Sequence, residues 1–141
     1  MTAWRIPIAG KYLSGNSRAH WRRKAEHTAS IRDQVWAHAK RLKIPNLDRR
    51  CATQLVWYPA TANRPDPDNL WPTDKAAVDG LQQARVLSND SQEFVRRSVP
   101  VIGSPMGAKS GVRRLWLYVT ELDEPITPLV ASIVVPSEVR L

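Results

Sequence analysis

The chain has 141 residues and one cysteine, Cys51, so it can close no disulfide within itself. A lone thiol also argues against a cysteine-ligated metal and makes a reducing compartment the expected setting. No apolar run approaches the length of a membrane span, so no membrane partner is expected. Residues 1–15, MTAWRIPIAGKYLSG, lack the apolar stretch of a signal peptide. Histidine is scarce. The three present, His20, His27 and His38, all fall in one segment. Acid is scarce where base is plentiful. Residues 1–50 carry a net +9, residues 51–90 a net −2 and residues 91–141 a net +1, within a total of +8. A basic surface of this kind attracts a polyanion, most often nucleic acid.

The length fits one domain with a core of its own. Trp4–Ala9 reads as a first strand. From Arg18 to Lys43 the pattern becomes helical. Trp21, Ala25, Ala29, Ile31, Val35, Trp36, Ala39 and Leu42 fall on one stripe at the helical period. Pro45 and Asn46 end it. Arg32 lies inside the stripe and needs a partner, for which the acidic middle of the chain is the expected source. Cys51–Tyr58 reads as a second strand. A loop over Pro59–Asp68 leads to a helix starting near Pro72, because proline suits the first helical turn. Ala77, Leu81 and Ala84 give that helix its apolar face. Lys75 and Asp79 pair on the other face at i, i+4. Glu93–Ile102 reads as a strand in which Pro100 marks an edge or bulge. Gly103–Arg113 reads as a loop and Arg114–Leu122 as the last strand. The expected fold is α+β, a single small domain with a mixed sheet of about four strands and two helices packed against it. The domain would span residues 1–122. An apolar, proline-punctuated tail, residues 123–141, would follow it.

The informative stretch is Arg64–Gly80, RPDPDNLWPTDKAAVDG. Asp66 and Asp68 bracket one proline and follow another. Proline stiffens the path and holds the two carboxylates in place. Two neighbouring carboxylates repel unless they share a cation, and oxygen-only ligands suit Mg2+ or Mn2+ better than zinc. Asp90, in the turn after the following helix, is the candidate third acid. Lys75 can stabilise charge on a phosphate in its transition state. The same residues also suit a plain turn and helix cap. Taken by themselves they leave capping and active site about equal. Asp74 and Asp79 read as helix-surface acids rather than ligands. Trp71 reads first as a packing residue and second as a platform for an unpaired base.

Three blocks in order carry a resemblance: Asp66-x-Asp68-Asn69-Leu70, then Lys75-Ala76-x-x-Asp79-Gly80-Leu81, then Asn89-Asp90-Ser91-Gln92-x-x-Val95. With Asn16-x-Arg18-x-His20-Trp21 upstream, the chain resembles the RusA family of Holliday junction resolvases over roughly residues 4–122. The resemblance implies a small homodimeric endonuclease of phage or prophage type, working in the cytoplasm of a bacterial or phage-infected cell. It would cut four-way DNA junctions by paired symmetric nicks with Mg2+ or Mn2+. It also implies that Asp66, Asp68 and Asp90 are the metal-binding catalytic acids and Lys75 their helper. Asn16, Arg18, Arg22, Arg23, Lys24, Asn69 and Lys109 are the expected DNA contacts. The chain departs from the family pattern twice. Trp71-Pro72-Thr73 stands as a three-residue insertion between Leu70 and the lysine block, and Asn89 replaces the first acid of an Asp-Asp pair. Two alternatives stand beside the resolvase: a branched-DNA-binding module whose active site those departures have cost its chemistry, and a nuclease with a broader substrate of flaps, forks or single strands.

Overall fold

A computed structural model describes residues 2–13, 20–109 and 111–127. In chain order the elements are β1 (Ala3–Ile8), α1 (Trp21–Arg41), β2 (Cys51–Trp57), a 3-10 turn (Pro67–Leu70), α2 (Trp71–Gln83), β3 (Val95–Arg97), β4 (Val101–Ile102) and β5 (Leu115–Glu121). The fold is α+β, with a mixed sheet and two helices. The sheet runs β1-β5-β2-β3, with β4 also on β2. β5 is antiparallel to both β1 and β2, whereas β3 and β4 are parallel to β2. The link from β2 through α2 to β3 is therefore a crossover. It returns the chain to the sheet in the same direction, and the acidic segment lies on it.

The expected strand over Glu93–Ile102 is corrected to two short strands, so the sheet has five strands rather than about four. The break falls at Ser98–Pro100. Pro100 has no N–H to give to a ladder. There Gln54 Nε2 donates to the Val99 carbonyl at 3.1 Å instead.

Side chains alternate across a strand, and the buried set follows that rule. Ile6, Ile8, Leu55, Leu115, Leu117 and Val119 point to the helical side and are buried. They meet Val78 and Leu81 of α2 and Ile31 and Val35 of α1 in one core. Cys51 sits in this core, and burial pushes its thiol pKa up to about 12.

The stripe on α1 is only half used. Ile31, Val35 and Ala39 are buried, but Trp21 is 67% exposed and Trp36 and Leu42 are also exposed. Among the described residues α1 packs chiefly on α2 and β1, which leaves the flanks of a wide stripe uncovered. Arg32 also differs from expectation: its ion pair is with its own neighbour, Asp33, at 3.5 Å. Residues beyond β5 lie across the start of β2, where Leu122 N–H donates to Arg50 O and Ile126 N–H to Arg49 O. The remainder of the expected tail, 128–141, lies outside the described residues. No helix among the described residues is long and apolar enough to cross a membrane.

The two helices cross where Gly80 stands. A Cβ there would meet the Arg32 carbonyl oxygen at 2.5 Å and the Val35 Cβ at 2.8 Å. In an open helix, glycine to alanine gains about 1 kcal/mol. Overpacking a core costs about 1–3 kcal/mol. Gly80→Ala is therefore expected to lower stability, read as a lower urea midpoint at unchanged m-value.

Candidate functional site

The acidic segment enters as a loop and becomes a 3-10 turn at Pro67. Asp66 is the cap of that turn. Its Oδ1 accepts the Asp68 N–H at 3.0 Å, and its carbonyl accepts the Asn69 N–H at 3.0 Å. The capping reading thus holds for Asp66. It does not hold for α2, whose capping position is Leu70 and receives no side-chain bond. Asp68 is exposed. No hydrogen bond or ion pair occupies its carboxylate among the described residues.

Trp71, Pro72 and Thr73 form the first turn of α2. Three residues add about 4.5 Å of helix. Two polar residues here, Thr73 and Asp74, are buried. Thr73 Oγ1 accepts the Leu13 N–H at 2.6 Å, which ties α2 to the segment after β1. Asp74 is fully buried. Its Oδ2 accepts from Arg97 Nε at 2.9 Å and from Arg97 Nη2 at 2.5 Å. The Arg97 guanidinium also lies 5.9 Å from the centre of the Trp71 ring. The expectation of a surface role for Asp74 is thus overturned. Its partner sits on β3, 23 residues away, a pairing that no local spacing reports.

Lys75 follows on the exposed side of the helix. Its Nζ donates to Asp79 Oδ1 at 2.9 Å and also to Asp90 Oδ2. Lys75, one turn into α2, therefore reaches Asp90 as well as Asp79. Asp79, expected only as a helical ion-pair partner, shares the same ammonium with Asp90. Two carboxylates thus converge on one cation. Asn89 is occupied otherwise: its Oδ1 accepts the Ser91 N–H at 2.9 Å, shaping the turn that presents Asp90.

The Lys75 hydrogen bond holds the Asp90 carboxyl below the usual carboxylate range, opposed by desolvation and helped by the charges of Lys75 and Arg97. Bonds to Asp90 and Asp79 raise Lys75 in turn. A depressed folded pKa stabilises the fold fully above the unfolded value, 3.8. That contribution is lost as pH falls through the lower folded value. Side-chain carbon NMR should thus place the Asp90 midpoint below 3.8, and Lys75→Met should move it up. An unmoved midpoint would separate the two groups in solution.

Asp66, Asp68 and Asp90 offer oxygen ligands only, which suits Mg2+ in chemistry. Among the described residues, however, no three carboxylate, imidazole or thiol groups come close enough together to hold a metal ion. The histidines stay on or beside α1. His20 caps that helix by accepting the Arg22 N–H at 3.2 Å.

Of the expected DNA contacts, Asn16 and Arg18 lie outside the described residues. Arg22, Arg23 and Lys24 stand in the first turn of α1, which holds no acid. Arg22 lies 5.3 Å over the Trp21 ring. Lys109 is exposed in the β4–β5 loop, on the far side of the sequence from Asn69 in the 3-10 turn.

No family model matches the chain. Over 100 residues it is 31% identical to an uncharacterized protein of Xylella fastidiosa, covering 67% of this chain and 63% of that one. The chain thus spans less than two thirds of that relative's length. Among solved structures, the hydrogenase maturation protein HypE in complex with ATP matches 86% of this chain and 29% of its own. The TM-score of 0.36 at 9% identity makes that likeness too distant to carry any argument.

Proposed function

We propose that the chain is a metal-dependent, structure-specific endonuclease that nicks branched DNA, with the four-way junction as its substrate, as its resemblance to the RusA resolvases implies. The observation that supports this best is the meeting of Lys75 with both Asp79 and Asp90, the latter 15 residues away in the chain. An ammonium held by two carboxylates on an exposed helix face is suited to offsetting charge on a phosphodiester. The fold has another feature in its favour. Arg22, Arg23 and Lys24 crowd the positive end of the α1 dipole with no acid in that turn to offset them. Such an arrangement is unfavourable for an isolated helix and becomes favourable against phosphate.

Asp66 and Asp68, joined by Asp90, would hold Mg2+ or Mn2+, whose chemistry when bound is to neutralise phosphate charge and activate water. The chain's own residues do the rest. Lys75 places an ammonium beside the scissile phosphate and offsets the charge that develops there. Asp79 and Asp90 orient that ammonium. Arg97 closes the buried end by neutralising Asp74. A homodimer with two-fold symmetry would present two such sites to a two-fold junction, which accounts for paired nicks.

One observation favours the second reading, a branched-DNA-binding module. Lys75 already satisfies Asp90, and among the described residues the acids form no group of three. A labelled substrate panel decides among the readings. Junction nicks in symmetric pairs, with a simple flap left intact, support the resolvase. Equal cutting of both supports a flap or fork nuclease. Tight junction binding with no nick in Mg2+ or Mn2+ supports the binding module.

A further inference from the structure

The sheet face turned away from the helices carries a groove of ≈ 570 Å³. That volume falls within the range of about 300–1,000 Å³ typical of ligand sites. Strand alternation puts Arg5 of β1 and Trp116 and Tyr118 of β5 on this face, Arg5 directly opposite Tyr118. Tyr58, one residue past β2, and Arg113, two residues before β5, complete its walls. Three aromatic rings and two guanidiniums line the groove, and none of its nine lining residues is an acid.

The walls are built rather than loosely arranged. The Tyr58 and Tyr118 hydroxyls bond at 3.0 Å. Trp116 Nε1 donates to the Arg113 carbonyl at 3.2 Å. Gly103 presses on the Tyr58 ring so closely that a Cβ would meet it at 2.5 Å. The Arg5 guanidinium lies 5.1 Å from the Trp116 ring centre.

Flat rings beside fixed cations, with no carboxylate, match a ligand that alternates planar groups with negative charge. Single-stranded nucleic acid has that pattern in every unit. We infer that this groove binds single-stranded nucleic acid, with an unpaired base against Trp116 and Tyr118 and its flanking phosphates on Arg5 and Arg113. A guanidinium already stacked on an indole can take a base on its other face or turn to a phosphate.

A second groove lies at the end of β2, where Trp57 and Pro59 flank Tyr58 in sequence. It is lined by Lys11, Tyr12, Trp57 and Arg64, again with no acid, and it ends at Pro65, beside Asp66. Trp57 and Tyr58 point to opposite faces of the sheet, so each walls one groove. A strand lying in the outer groove can therefore continue over the sheet end toward Asp66 and Asp68. The outer groove needs nothing from the nuclease reading, and its test uses no cleavage.

The test is fluorescence anisotropy of a short 5′-labelled oligothymidylate with the full chain in EDTA. Arg113→Glu and Trp116→Ala are each expected to weaken binding by about fivefold or more. Trp116→Phe, which keeps a stacking ring, should restore most of the loss. The slope of log affinity against log salt should fall by about 0.7 per phosphate contact removed. Arg113 is exposed, so its variant stays informative even if Trp116→Ala perturbs folding. Unchanged affinity in a natively folded Arg113→Glu would overturn the inference. So would sedimentation data in which the wild type self-associates and Arg113→Glu does not, with oligonucleotide binding equal in both. That outcome would assign the groove to a second copy of the chain.

Discussion

Arg97→Ala is expected to destabilise the protein by about 3–5 kcal/mol, the loss typical when one partner of a buried ion pair is removed. Asp74 has no solvent exposure. Arg97 supplies two hydrogen bonds to Asp74 Oδ2, and Oδ1 has no partner among the described residues. Without the guanidinium a buried carboxylate is left uncompensated. Urea denaturation measures the loss. A double variant, Asp74→Leu with Arg97→Met, should lose less than either single change, because it leaves no charge behind. The pH dependence follows the same logic. Burial raises the Asp74 pKa, against the lowering effect of Arg97. In Arg97→Ala only the raising effect remains. A raised folded pKa means stability present at low pH and lost as pH rises through the folded value. The deficit of Arg97→Ala relative to wild type should therefore shrink as pH falls from neutral toward the carboxylate range. A deficit constant with pH would mean the pair does not carry the effect.

Lys75→Ala is expected to lower junction nicking by about a hundredfold or more, the scale seen when a preorganised charge-stabilising donor is removed. The same change should cost little stability. Lys75 is exposed, and exposed ion pairs contribute about 0–1 kcal/mol. That combination separates a chemical role from a structural one. Single-turnover nicking and thermal unfolding of the same preparation decide it. A variant that nicks normally would remove Lys75 from the mechanism. A variant that unfolds early would reassign Lys75 to holding Asp79 and Asp90 together.

Much of this organisation was legible in the sequence because it rests on local rules. β1, β2, β5 and both helices follow from periodicity, and Pro72 marks the first turn of α2. The Lys75–Asp79 pair follows from its spacing. What was not legible depends on distant partners. Asp74 and Asp79 look alike in sequence, yet Arg97 from β3 buries one, and a helical lysine holds the other at the surface. The exposed half of the α1 stripe has the same cause. An apolar stripe reports what a helix could bury, not how many layers the fold supplies to cover it. Pro100 announced an interruption but not that the strand resumes on β2. The outer groove drew no sequence signal either. Arg5, Tyr58, Arg113, Trp116 and Tyr118 are assembled only by the pairing of β1 with β5 and by the end of β2.

The most direct test of the nuclease reading is cleavage of an end-labelled synthetic four-way junction by the full chain, in Mg2+ and then in EDTA, beside Asp68→Asn. Paired symmetric nicks are expected in Mg2+, disappearing with EDTA and falling by about a hundredfold or more in the variant. Nicks that persist in EDTA, or that Asp68→Asn leaves unchanged, would contradict that reading.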